Sequence, residues 1–272
     1  MTLSDKLTAV NTEKQAIKSV LSDKGLDMSA TPFTEYHNTI NNLSTLKLSI
    51  GDYFVNPNTG SDSNDGKSID TAFKTISNAL SSADTHQTII LLSGVYKGTS
   101  NCNLSVGNVN IIGMNGTVLD GENVRRSGFT GSSTTVIFGI TFQNGSTTEH
   151  GSACKLTGDA QIVDCIFKNN ATTDTWEGGA LHLNNYTAWV SDCTFLNNTA
   201  SNTNVGRSLG LNNNGQSIYR CDFIDSGEGY TINSFNGCNA YNCYFGTGTS
   251  LPSGVTNNNP KSSPNHPERI TT

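Results

Sequence analysis

Cys165-Ile166-Phe167, Cys193-Thr194-Phe195, Cys221-Asp222-Phe223 and Cys243-Tyr244-Phe245 repeat one triplet at spacings of 28, 28 and 22 residues. Ile140-Thr141-Phe142 precedes them in the same frame, 25 residues earlier. A second anchor keeps step with the first: Gly151-Ser152-Ala153, Gly178-Gly179-Ala180, then Arg207-Ser208-Leu209. Self-similarity at this period marks a solenoid, in which each repeat buries its apolar face only against its neighbours. Between the anchors lie short alternating apolar runs and Asn/Gly turns, with no helical period. That pattern selects stacked β coils over helical repeats, so the expected fold is all-β, a single-stranded parallel β-helix of about eight coils.

Alternation along a strand assigns the faces. The Cys and Phe of each triplet point inward and stack on their equivalents one strand spacing away. The middle residues, Ile166, Thr194, Asp222 and Tyr244, point outward. Asn144, Asn169, Asn197 and Asp225, two residues past each Phe, are expected to form a hydrogen-bonded ladder at a turn, where Asn tolerates left-handed backbone. A regular, buried Cys column reads as small, polarizable core filler. Seven cysteines, an odd number with no CxxC spacing, imply free thiols and no metal site, and no cofactor is expected.

Only 14% of the 272 residues are charged and the net charge is −6. Asn, Ser and Thr supply 34, 30 and 34 residues, so the chain is polar without the high charge of a disordered one. Scattered Lys/Arg on an acidic chain argue against a nucleic-acid partner. No apolar run approaches the length that spans a bilayer, so membrane insertion is not expected. The start, Met1-Thr2-Leu3-Ser4-Asp5-Lys6-Leu7, lacks the basic and apolar regions of a signal peptide. Free thiols without an export signal point to synthesis and folding in a cytoplasm.

Residues 1–45 are a different material. Leu3, Leu7, Val10, Ile17 and Leu21 form a heptad stripe with Lys14 in the missing position, Ser4 as N-cap and Gly25 as terminator. Thr31-Pro32 then opens a second amphipathic stretch with Phe33, Tyr36, Ile40 and Leu43. A stripe this short is not stable alone in water. It reads as a helical docking or oligomerisation segment, with a homotrimer expected. The expected boundaries are therefore 1–45 for that segment, 46–250 for the β-helix and 251–272 for a polar C-terminal tail.

Two resemblances sharpen the reading. The run Lys14-Gln15-Ala16-Ile17-Lys18 through Gly25-Leu26-Asp27-Met28 to Phe33-Thr34-Glu35-Tyr36 resembles N-terminal segments of tailed-virus tail and fibre proteins. The succession Tyr53-Phe54-Val55-Asn56-Pro57, Gly60 to Gly66, Phe73-Lys74-Thr75-Ile76, Thr88 to Leu92 and Val109 to Gly121 resembles the opening of pectin-lyase-like parallel β-helix proteins. That family implies that the parallel β-helix is right-handed, with a short helix near Phe73 to Leu80 capping the first coil. The Cys-x-Phe coils with Asn-Asn-Ala-Thr and Gly-Gly-Ala turns are similar to adhesin-like repeat proteins of methanogenic archaea.

Chemistry on such a fold needs paired carboxylates, or a base beside a cation, on one outer face. Two columns qualify by alignment. Asp164, Asp192, Arg220 and Asn242 stand just before each Cys, a carboxylate pair beside an arginine. His150, Glu177, Val205 and Glu228 stand three residues before Ala153, Ala180, Ser208 and Thr231, with Trp176 flanking Glu177. Each column also reads structurally, the Asp192–Arg220 pair as charge compensation between neighbouring strands and Glu177 and Glu228 as separated by the coil of Val205. The loop Lys168 to Gly178 carries Asp174, Trp176 and Glu177, an aromatic-plus-acid cluster suited to stacking on a sugar ring. The expected function is a virion tail-fibre or tail-spike-like adhesin, attaching to a host envelope glycan or surface protein and joined to other tail proteins through residues 1–45. A tail-spike glycan depolymerase using Glu177, Glu228 and His150, or Asp164, Asp192 and Arg220, is the alternative. A cellular surface adhesin is the second.

Overall fold

The computed structural model describes residues 51–173, 178–185, 187–202, 206–212, 216–225, 230–234, 237–246, 251 and 255–270. The helical segment expected at 1–45 lies outside the described residues.

Every strand pairing in the body is parallel, each strand bonding to its equivalent in the next coil. Three sheets of nine, seven and six strands run the length of the body, with a three-stranded strip at one corner. Six coils supply a strand to each of the three long sheets, so the solenoid has six complete turns and partial coils at its ends, fewer than the eight expected. Crossovers between parallel strands of one sheet are right-handed for steric reasons, and the body is a right-handed parallel β-helix. A seven-residue helix, Ile76–Ser82, caps the first coil with Ile76 and Ala79 buried. It starts at Thr75, whose side chain accepts from the Asn78 N–H. That places the helix three residues later than the resemblance implied.

The repeats become columns of the core. Ile166, Phe167 and Lys168 pair in register with Thr194, Phe195 and Leu196, and these with Asp222, Phe223 and Ile224. The rings of Phe142, Phe167, Phe195, Phe223 and Phe245 stack at 5.3, 4.8, 4.8 and 4.9 Å. Cys165, Cys193, Cys221 and Cys243 are fully buried beside them. Each buried Phe contributes about 2–3 kcal/mol by removal from water. Burial pushes the thiols of Cys165, Cys193 and Cys221 well above their ordinary pKa, so they stay protonated.

The Asn ladder exists one residue later than the sequence suggested. Asn144, Asn169 and Asn197 take left-handed backbone, at φ 52°, 54° and 54°. The buried ladder is Asn170, Asn198 and Asp225. The Gly145 N–H donates to Asn170 Oδ1 at 2.9 Å, the Asn170 N–H to Asn198 Oδ1 at 3.0 Å, and the Asn198 N–H to Asp225 Oδ1 at 2.9 Å. The amides of Asn170 and Asn198 also donate to the Phe142 and Phe167 carbonyls at 3.0 and 2.9 Å. These side chains satisfy turn backbone that a dry corner would otherwise leave unpaired. Asp225 joins the ladder because its coil omits the left-handed residue.

The segment expected as a polar tail is part of the solenoid. Val255–Asn258 pairs with Cys238–Tyr241 as the last strand of the nine-stranded sheet, and Lys261 bridges to Tyr244. The chain then turns back across the outer face of the seven-stranded sheet. The Asn265 and His266 N–H groups donate to the two carboxylate oxygens of Asp222, both at 2.7 Å. Thr194 and Asp222 face outward in the strand alternation, yet both are fully buried. The returning segment supplies the buried Asp222 carboxylate with backbone donors, which an isolated buried charge needs.

Candidate functional site

Three groups on the outer surface bear on function. The first is the Asp column, at the turn between the nine- and seven-stranded sheets. Gly139, Asp164, Asp192, Arg220 and Asn242 all adopt left-handed backbone there, φ 49° to 71°, which lets one residue turn the corner and throws each side chain outward. Arg220 holds Asp192 through two hydrogen bonds, Nε and Nη2 to the two carboxylate oxygens at 2.7 and 2.6 Å. Burial raises the Asp192 carboxyl, but hydrogen bonds from Arg220 and Ser191 outweigh it and hold the group below the usual carboxylate range. Asp164 is held by Arg269, which also donates from Nη1 to the Asp192 carbonyl at 2.8 Å. Both carboxylates of the column are thus engaged by guanidinium groups.

The second group surrounds His150. Its ring stacks on His182 at 4.7 Å, 21° between planes. Glu177, Val205 and Glu228 lie outside the described residues. His182 is 2% exposed. Burial first, and then the positive charge of His150, Lys155 and Arg126, lower its pKa to about 3. Arg126, itself buried, fixes the backbone of this corner by donating to the Gly151 and His150 carbonyls at 2.7 and 2.9 Å. Gly210 packs against the other side: a Cβ there would stand 2.6 Å from the Gly178 Cα and 3.3 Å from His182 Nδ1. The sequence alignment missed His182 because it lies on a strand of the six-stranded sheet, paired with Lys155 and Gly210, rather than in the loop column.

The third group is a groove on the nine-stranded sheet, a cavity of about 560 Å³ lined by Thr187, Ala188, Trp189, Ser191, Ser217, Tyr219 and Arg220. Trp189 pairs with Gln161 and Ser217, and Tyr219 with Ser191 and Tyr241. Inward Val190 and Ile218 are fully buried, so Trp189, Ser191, Ser217 and Tyr219 face out. The Tyr219 and Tyr241 rings stack at 5.2 Å and 10°. A half-buried indole, a tyrosine pair, the Ser217 hydroxyl and a clasped Arg–Asp pair at the rim make a surface able to stack on an apolar ring face and hydrogen-bond around it. The expected ligand cluster, Asp174, Trp176 and Glu177, lies outside the described residues. The groove is built on the chain's other tryptophan. Its sequence signal was available: Trp189 and Ser191 alternate with buried Val190, and Ser217 and Tyr219 do the same around Ile218 one coil on.

No family model matches the chain, and no curated protein matches it. Among solved structures, the chain is similar in fold to a pectin methylesterase from carrot, 13% identical with a TM-score of 0.42, over 78% of each chain. It is also similar to pectin methylesterase PemA from Erwinia chrysanthemi, 12% identical with a TM-score of 0.31, over 76% of this chain and 92% of the other.

Proposed function

We propose that the protein is a β-helix adhesin that binds a glycan of a host cell surface through the groove at Trp189 and Tyr219 and does not cut it. The observation that supports this most is the pairing of an aromatic groove with carboxylates already clasped by arginine. A ring-stacking surface is present, while Asp164 and Asp192 are held by Arg269 and Arg220. The virion setting, a tail-fibre or tail-spike-like protein made in the host cytoplasm, trimeric and docked through residues 1–45, rests on the resemblance of the N-terminal segment to tail proteins.

The test is binding of purified protein to isolated host envelope, scored together with release of soluble sugar. Trp189→Ala should weaken attachment by about 1–3 kcal/mol with the fold intact, the range of an interface hot spot. No sugar should be released. Release of oligosaccharide that Asp164→Asn or Asp192→Asn abolishes would assign the protein to the depolymerases instead.

A further inference from the structure

Building on the glycan-binding reading, we infer that the binding surface extends from the Trp189 groove along the outer face of the nine-stranded sheet, and that its ligand is a neutral polysaccharide strand lying along the solenoid axis. The argument is the register of the outward side chains. One row runs Ile112, Phe138, Val163, Ser191, Tyr219, Tyr241, Asn258, each paired with the next. The neighbouring row runs Val136, Gln161, Trp189, Ser217, Asn239, Thr256. The residues between the rows, Ile137, Ile162, Val190, Ile218 and Ala240, are fully buried, which fixes both rows to the outside.

Neither row holds an ionisable group apart from the tyrosine phenols, and Phe138 is 39% exposed. An apolar and aromatic band on a solvent face, interrupted here only at buried Ser191, is uncommon unless something covers it. Three features favour a glycan over a protein. Apolar faces alternate with amide and hydroxyl groups, Gln161, Ser217, Asn239 and Thr256, at each coil, which suits a chain with apolar ring faces and hydroxyl edges. The surface repeats every strand, about 4.8 Å, a step comparable to one pyranose in an extended chain. From Ile112 to Tyr241 the track therefore spans about 24 Å. The cations bordering it, Arg220 and Arg269, are each bound to an aspartate, so the rim is not built to attract a polyanion.

The test uses the full chain against neutral glucans, mannans, xylans and galactans and their oligomers of two to six units, with polygalacturonate and its oligomers as the acidic arm. Expected is binding to a neutral polymer with affinity rising at least tenfold from dimer to hexamer. Ile112→Lys and Phe138→Lys, at the far end of the track, should each weaken the hexamer about fivefold or more while leaving the dimer unchanged; Trp189→Ala should weaken both. Affinity independent of length, or indifferent to both lysine variants, overturns the track and leaves the groove standing. Preference for the acidic oligomers overturns the neutral ligand. No binding to any polymer, together with no attachment to host envelope, removes the glycan reading itself. Loss of self-association in the lysine variants with glycan binding unchanged would make this face an interface between copies of the chain.

Discussion

Arg269 lays its guanidinium on the carboxylate of Asp164, 105 residues earlier in the chain. Together with the hold of Asn265 and His266 on Asp222, this contact straps residues 265–269 across the coils of Asp164, Asp192 and Asp222. Parallel coils have no covalent or topological lock at their C-terminal end, so the last strand is the one most open to fraying. The strap ties that end to coils well inside the solenoid.

Arg269→Ala should therefore loosen residues 255–270 and leave the first four coils intact. Hydrogen exchange should rise in that segment, with a stability loss of about 1–2 kcal/mol. Unchanged protection there would show that the strap holds by Asp222 alone.

Stability should fall on mild acidification through His182. Its folded pKa is lowered from 6.5 to about 3. Between those values the unfolded chain binds a proton that the folded chain refuses, so stability is full above pH 6.5 and declines as pH falls toward 3. At pH 5 the loss is at most about 2 kcal/mol from this group. Denaturant titrations of wild type and His182→Gln at pH 7.5 and 5 should show a pH-dependent difference that shrinks in the variant. An identical pH response in both proteins would place the titration elsewhere.

All seven cysteines are free and buried. Native protein should leave Cys165, Cys193 and Cys221 unlabelled by a thiol reagent, with full reaction after denaturation, because the reactive species is the thiolate and burial suppresses it. Rapid native labelling of all three would contradict the inward column.

Two substitutions separate the core's contributions. Phe195→Ala, in the middle of the ring stack, should cost about 3–5 kcal/mol through the cavity it opens. Asn198→Leu fits the corner by size but strands the Asn170 N–H and removes the amide donor to the Phe167 carbonyl. It should cost about 2–4 kcal/mol although it adds apolar surface. If the leucine variant were as stable as wild type, the ladder would be dispensable.

Deletion of residues 1–45 should leave a folded, β-rich, monomeric body, by circular dichroism and sedimentation. The full chain should sediment as a larger species at micromolar concentration. A monomeric full chain would rule out oligomerisation through this segment and leave docking to another protein.

What the sequence determined by itself was everything that depends on a local period. The Cys-x-Phe spacing set the coil, and strand alternation placed the Cys and Phe columns inside. The residues before each Cys were placed on an outer turn, where Arg220 indeed meets Asp192. Such features are legible because each coil contacts only its neighbours, so register along the chain is also register in space. Tertiary structure alone decided the rest. The ladder settled on Asn170 and Asn198 because a left-handed residue at Asn169 and Asn197 shifts the inward position by one. Asp164 is engaged by an arginine 105 residues away, and Asp222 was buried by a segment with no repeat in it. Trp189 became a groove because Tyr219, one coil later, stands beside it. Contacts made by a non-repeating strap, and surfaces assembled from several coils, leave no periodic trace in the chain, which is why only the folded solenoid reveals them.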